Sequence, residues 1–115
     1  MKRRRPEAQV QVALCNYLRW MAKPGVFFFA VPNGGSRNVI EASHLRDQGV
    51  RAGVPDLILI HDGRTYGLEL KADRGRVSVV QKVAQIEMEM AGATVATAYG
   101  MDAALAQVEQ WGLMR

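Results

Sequence analysis

The chain has 115 residues, of which 49% are hydrophobic, and it contains one cysteine. This length fits one compact domain over residues 7–115 behind a basic tail at residues 1–6, and the hydrophobic content excludes a disordered chain. Fifteen Lys and Arg against eleven Asp and Glu leave a net charge of +4, which favours a polyanionic partner but decides little by itself.

The composition also excludes some kinds of site and location. Cys15 is the sole cysteine, so neither an intrachain disulfide nor a zinc cluster built from thiolates can form. No apolar run approaches the roughly 20 residues that span a bilayer. Glu7, Gln9 and Gln11 interrupt the segment after the basic start, which argues against a signal peptide. We therefore expect a cytoplasmic protein with no membrane partner.

The first predicted elements are a helix and a strand. Residues 7–22 carry apolar side chains at helical spacing, including Leu14 and Leu18, and the following Pro24-Gly25 is a stop signal. Residues 26–31 form an apolar run rich in β-formers and predict a buried strand. Residues 32–36 are a loop by composition.

A short helix and a β-hairpin are predicted next. Asn38 with Glu41 three residues later fits a capping box, and the helix that it opens ends at Gly49. Residues 57–60 and 65–70 are β-rich runs on either side of Asp62-Gly63, a dipeptide typical of two-residue hairpin turns.

The last third of the chain predicts a helix, a strand and a second helix. Ser78 with Gln81 fits another capping box, and its helix stops at Gly92. Residues 93–99 form a strand, and Asp102 is predicted to cap a final helix that runs to about Trp111. The order α-β-α-β-β-α-β-α predicts an α/β fold, with a mixed β-sheet flanked by helices.

The register of the hairpin brings two carboxylates together. Counting back from the Asp62-Gly63 turn along both strands places Asp56 opposite Glu69, with Cβ atoms roughly 4.5–5.5 Å apart. Lys71 lies two residues beyond Glu69 and points to the same face. Carboxylates this close repel each other, and a bound divalent cation removes the conflict.

This triad has the composition of a phosphodiesterase centre. Carboxylate oxygens with water are the ligands of Mg²⁺ or Mn²⁺, and such an ion activates water and polarises a phosphate. Lys71 can orient or deprotonate the attacking water, or stabilise charge in the transition state. An ordinary alternative is that Asp56 ends a turn after Pro55, and that Glu69 and Lys71 form a solvated edge.

The same residues carry a family resemblance. Residues 49–57 (GVRAGVPDL), residues 67–71 (GLELK) and Val77-Ser78 with Gln81 resemble the VRR-NUC family of the PD-(D/E)xK nucleases, and the likeness extends from the first helix to about Gly100. That family occurs as stand-alone phage and bacterial proteins and as a module of larger repair enzymes. The resemblance implies a restriction-endonuclease-like core, cleavage of branched DNA such as flaps or four-way junctions, and no small-molecule cofactor.

The resemblance also implies roles for single residues. Lys71 would be catalytic, and Gln81 would act beside it on the following helix. Gln81 has a complete local explanation as the capping partner of Ser78, and Glu7 has one as a first-turn carboxylate. The metal ligands that the resemblance implies are Glu7, Asp56, Glu69 and the backbone carbonyl of Leu70.

Candidate DNA contacts are less specific. A glycine-rich turn and exposed basic side chains suit phosphate binding, but a tight turn and a solvated face explain them equally well. Cutting both strands of a junction symmetrically requires a two-fold assembly, so we expect a homodimer. A non-cleaving nucleic-acid-binding module and an RNase with the same metal centre are the alternative functions. The candidate contacts are Asn33, Gly34, Arg37, Arg51, Arg74, Arg76 and Lys82.

Overall fold

A computed structural model of the protein describes residues 6–32 and 39–115. The order of its helices and strands is the predicted one, with small differences at their ends. None of the helices in the described ranges is both long and apolar enough to cross a membrane. The elements are α1 (Pro6–Met21), β1 (Phe27–Ala30), α2 (Val39–Asp47), β2 (Leu57–His61), β3 (Arg64–Lys71), α3 (Val79–Met90), β4 (Thr94–Tyr99) and α4 (Gly100–Gln110).

The strands form one mixed sheet in the order β1-β2-β3-β4. The β1–β2 and β2–β3 pairs are antiparallel, whereas β3 and β4 are parallel and are connected through α3. Asp62 and Gly63 have φ values of 52° and 75°, so both adopt the left-handed conformation of a two-residue hairpin turn. Leu57 pairs with Leu68, which confirms the predicted register within the strands.

One side of the sheet, the core face, carries the hydrophobic core. Leu57, Leu59 and Leu68 are completely buried there, and α1 and α4 pack against them and against each other. The helices contribute Leu14 and Val108, which are also completely buried. The alternation of side chains along each strand and the helical spacing of apolar residues in α1 together explain why the core lies on this face.

On the opposite side, the site face, α3 packs over the β3–β4 part of the sheet. Phe27 and Phe29 of β1 are exposed, so the prediction of a buried strand there is wrong, because no helix covers this edge of the sheet. A Cβ at Gly67 would point to the site face, where it would come within 2.8 Å of Pro55 Cγ and 3.3 Å of Met88 Cε. The position therefore requires a glycine. Ala84 is the sole buried residue of α3, so the helix rests on the sheet through a narrow strip. The close approach at Gly67 holds the segment before β2 and the helix after β3 over the same strand.

The helix boundaries are confirmed except for one cap. Ser78 and Gln81 form both hydrogen bonds of a capping box at the start of α3. The prediction that Asp102 caps the last helix is wrong, because α4 begins at Gly100 and Tyr99 occupies the capping position without a side-chain hydrogen bond. Asp102 lies in the first turn, where the helix dipole favours a carboxylate. The predicted cap at Asn38 lies outside the described residues.

Candidate functional site

The open end of the hairpin positions Asp56 against β3. The β2–β3 ladder ends at Leu57 and Leu68, and the next residues in the same register are Asp56 and Glu69. The Leu70 N–H donates a 2.7 Å hydrogen bond to Asp56 Oδ2, and the Val31 N–H donates to the Asp56 carbonyl at 2.8 Å. The Asp56 carboxylate therefore extends the β2–β3 hydrogen-bond ladder by one bond. The main chain of Asp56 is hydrogen-bonded to Val31, the residue that follows β1.

Glu69 is buried although it is charged. It is 3% exposed, and its Oε2 atom accepts a 3.0 Å hydrogen bond from Gln81 Nε2. Lys71 Nζ lies 3.7 Å from the same oxygen. Glu69 Oε1 is buried without a hydrogen-bond donor in the described part of the chain. A buried acceptor without a partner costs free energy, and a cation or a proton would remove that cost.

The two carboxyl groups shift each other's protonation. Burial, and then repulsion from the Asp56 carboxylate, raises the pKa of Glu69 to about 7, although the Lys71 ammonium partly opposes this. Burial also raises the pKa of Asp56, against the lowering effect of the Leu70 N–H and of the Lys71 charge. At neutral pH, the nearby positive charge is therefore too small to stabilise both groups as carboxylates.

Lys71 ends β3 on the same face as Glu69. Its side chain is 14% exposed, so the ammonium lies at the rim of the buried pair. In the parallel register Glu69 lies beside Thr97, and Lys71 lies beside the half-exposed Tyr99. No sequence pattern indicates these two neighbours, because the register of β4 depends on how α3 crosses the sheet.

Gln81 caps α3 with one side-chain atom and contacts Glu69 with another. The Ser78 N–H donates to Gln81 Oε1 at 2.9 Å, and the Gln81 N–H donates to Ser78 Oγ at 3.2 Å. Because Oε1 faces a donor, the amide NH2 is directed to Glu69. The cap at the start of α3 thus fixes the orientation of the group that holds Glu69.

Asp56 and Glu69 form a donor set that fits Mg²⁺ or Mn²⁺. Such ions are commonly held by one or two carboxylates, with water and substrate phosphate completing the shell. Within residues 6–32 and 39–115, no group of three or more His, Cys, Asp or Glu side chains is arranged to hold a metal. Glu7 is exposed on α1, and its charge contributes to the raised pKa of Asp56.

The candidate DNA contacts fall into three groups. Arg51 forms a 2.8 Å ion pair with Glu87, in which both side chains are about half exposed. Exposed basic side chains follow β3 and begin α3, at Arg74, Arg76 and Lys82. Asn33, Gly34 and Arg37 lie outside the described residues.

Comparison with known proteins supports the fold. No family model and no curated protein matches the chain. A solved structure named as a VRR_NUC domain protein superimposes with a TM-score of 0.77, covering 96% of this chain and 90% of that chain at 22% sequence identity. The chain therefore has the α/β fold, with a mixed four-stranded sheet between helices, that the resemblance implied.

Proposed function

We propose that the protein is a Mg²⁺- or Mn²⁺-dependent endonuclease that hydrolyses phosphodiester bonds in DNA. The observation that carries this proposal is the opposed pair Asp56 and Glu69, which leaves a buried carboxylate oxygen without a donor beside Lys71. The fold shared with a VRR_NUC domain protein supports it.

Each carboxylate is held through one oxygen, and the second oxygen of Glu69, Oε1, has no donor in the described residues and would face the metal ion. Asp56 Oδ2 accepts from the Leu70 N–H, and Glu69 Oε2 accepts from Gln81, so these bonds orient the two groups. When bound, the ion polarises a phosphate oxygen and lowers the pKa of an attacking water. We assign the ligand role to Asp56 and Glu69, with the Leu70 carbonyl as a further ligand. Glu7 would join them by a change of its side-chain conformation, because its charge acts on Asp56 but the described residues do not form a three-carboxylate group.

Lys71 supplies a positive charge where the reaction generates negative charge. Its ammonium is near Glu69 Oε2 and partly open to solvent, so a phosphate can approach it. There it can orient the attacking water or stabilise the developing charge on the phosphate. Gln81 acts as a positioning residue, since it fixes Glu69 through the capping box of α3.

We infer that substrate selection depends on the shape of the DNA. Contacts from Arg74 and Arg76 to phosphates would hold the backbone without reading the bases. The described residues carry no inserted subdomain between the strands that could reach into a groove. Branched DNA and a two-fold assembly of the chain fit this mode of selection.

Cleavage of a substrate panel tests the proposal. Labelled flaps, four-way junctions and linear duplexes, with matched RNA versions, would be incubated with Mg²⁺, Mn²⁺ or EDTA. We expect metal-dependent cleavage of branched DNA, lost in Asp56→Ala and Lys71→Ala and retained in the control Lys23→Ala. Intact substrates that are nevertheless shifted in a binding gel would instead indicate a non-cleaving module, and preferential cleavage of the RNA set an RNase.

A further inference from the structure

Helix α3 has two apolar sides, and only one of them is covered. The side that faces the sheet includes Ala84 and Met88. The opposite side exposes large apolar residues at alternating spacings of four and three positions, which we call the α3 stripe. Its members and their exposed fractions are Val79 (75%), Val83 (44%), Ile86 (55%) and Met90 (82%).

The α3 stripe has the form of a helix-pairing seam. The alternation of four and three positions keeps side chains in line on one side of a helix and is the spacing of a two-helix interface. Soluble monomers expose single apolar residues freely, but contiguous apolar patches mark interaction surfaces. Phosphate oxygens gain nothing from such a surface, so DNA is a poor occupant.

We propose that a second copy of the chain covers the α3 stripe, with the two α3 helices packed antiparallel about a two-fold axis. Antiparallel packing makes the stripe complementary to itself. Val79 then lies against the partner subunit's Met90, and Val83 against the partner subunit's Ile86, so that each layer pairs a valine with a longer side chain. A two-fold contact of this kind closes on itself and gives a dimer.

The charges beside the stripe favour the antiparallel arrangement. Lys82 and Glu89 lie on the same flank of α3, and neither forms an ion pair within the described part of the chain. Antiparallel packing brings each Lys82 opposite the partner subunit's Glu89. Parallel packing would instead bring Lys82 to the partner subunit's Glu87, whose carboxylate is already bound by Arg51 at 2.8 Å.

The inference specifies the contact surface of the proposed homodimer, and it does not depend on DNA cleavage. Because α3 also carries Gln81, the contact would stabilise the helix that orients Glu69 in each copy. The oligomeric state can be measured without DNA or metal, so the two proposals fail separately. A monomer that cleaves DNA would overturn only the interface, and an inactive dimer only the nuclease.

Sedimentation equilibrium of the purified chain tests the surface. We expect a wild-type dimer whose dissociation constant rises about 100-fold in Ile86→Glu and in Val83→Lys, because a charge is placed in a desolvated seam. Val12→Glu, at an exposed valine of α1 (63%), and Phe29→Glu, at an exposed residue of β1 (42%), should leave the dimer intact. Circular dichroism confirms that each variant is folded.

A charge exchange tests the orientation. Lys82→Glu and Glu89→Lys should each weaken the dimer, and the double variant should restore it, since antiparallel packing then pairs the exchanged charges. A wild-type monomer, dissociation by Phe29→Glu but not by Ile86→Glu, or a double variant weaker than both single ones would overturn the proposal.

Discussion

Side chains on the two faces of β3 are buried in different surroundings, apolar on one face and polar on the other. Tyr66, Leu68 and Leu70 point to the core face, and they are buried among apolar side chains from α1 and α4. Glu69 points to the site face and is equally buried, but among polar groups. Neighbouring residues of one strand are therefore buried for opposite reasons.

On the core face, each buried side chain adds to the stability of the fold, since apolar surface leaves water. On the site face, burial of Glu69 leaves one carboxylate oxygen without a donor and places another carboxylate beside it. The protein tolerates this cost because the core face supplies the stability. The difference suggests that substitutions on the two faces affect different measurements.

The largest expected effect concerns Lys71. Lys71→Met should lower the rate of DNA cleavage by about 1000-fold, because a preorganised charge near the phosphate is lost. The melting temperature should change little, since the ammonium is at the rim and 3.7 Å from its nearest carboxylate oxygen. Single-turnover cleavage and thermal melting measure the two quantities.

The matched control for this variant is Lys23→Met, which removes an exposed lysine from the turn between α1 and β1. It should cleave at the wild-type rate. Equal losses in both variants would mean that overall charge, and not the place of Lys71 on the site face, determines the rate.

The next effect is on stability and concerns the core face. Leu68→Ala should reduce the free energy of unfolding by about 3 kcal/mol, because Leu68 is completely buried and its neighbours cannot fill the cavity. Ile60→Ala, on the site face at a residue that is 38% exposed, should cost less than about 1 kcal/mol. Urea denaturation compares the two, and similar losses would contradict the division of the sheet into two faces.

A smaller effect separates the two roles of Gln81. Gln81→Ala should lower kcat by about 10–100-fold with little change in KM, since Glu69 loses the amide that orients it. Ser78→Ala removes the hydroxyl cap but keeps the Ser78 N–H that binds Gln81 Oε1. It should cost about 1 kcal/mol of stability and leave kcat near the wild-type value.

Kinetics and urea denaturation of both variants make this comparison. If Ser78→Ala loses as much activity as Gln81→Ala, helix capping and not the contact with Glu69 is the role of Gln81.

The sequence predicted the parts of the site that depend on local rules. The Asp62-Gly63 turn determines the hairpin register, and the register brings Asp56 beside the β3 residue Glu69. Strand alternation then places Leu68 and Leu70 in the core.

Local rules do not predict the contacts between elements that are distant in the sequence. The bond between Gln81 and Glu69 depends on how α3 lies across the sheet, and the places of Thr97 and Tyr99 depend on the parallel register of β4. The wrong cap at Asp102 has a local origin, since a carboxylate in a first turn and a capping carboxylate have similar sequence patterns.

The smallest expected effect is a gain in stability, whereas a substitution in a buried site usually lowers stability. In the metal-free protein, Glu69→Gln should raise the free energy of unfolding by about 1 kcal/mol at pH 8, because solvent screening reduces the cost of the buried charge. The native pKa of Glu69 is raised to about 7 from an ordinary value of 4.5. Below pH 4.5 the carboxyl is protonated in both states, so it then costs the native state nothing.

As the pH rises from 4.5 to 7, the unfolded state loses its proton first, and the wild type loses stability relative to Glu69→Gln. The advantage of the variant should therefore be full above pH 7 and absent well below pH 4.5, as thermal melting in EDTA can show. Mn²⁺ should stabilise the wild type at pH 8 but not the variant. A variant that is less stable than the wild type at pH 8 would mean that the Glu69 carboxylate is satisfied without a metal, and the two faces of β3 would then be stabilised alike.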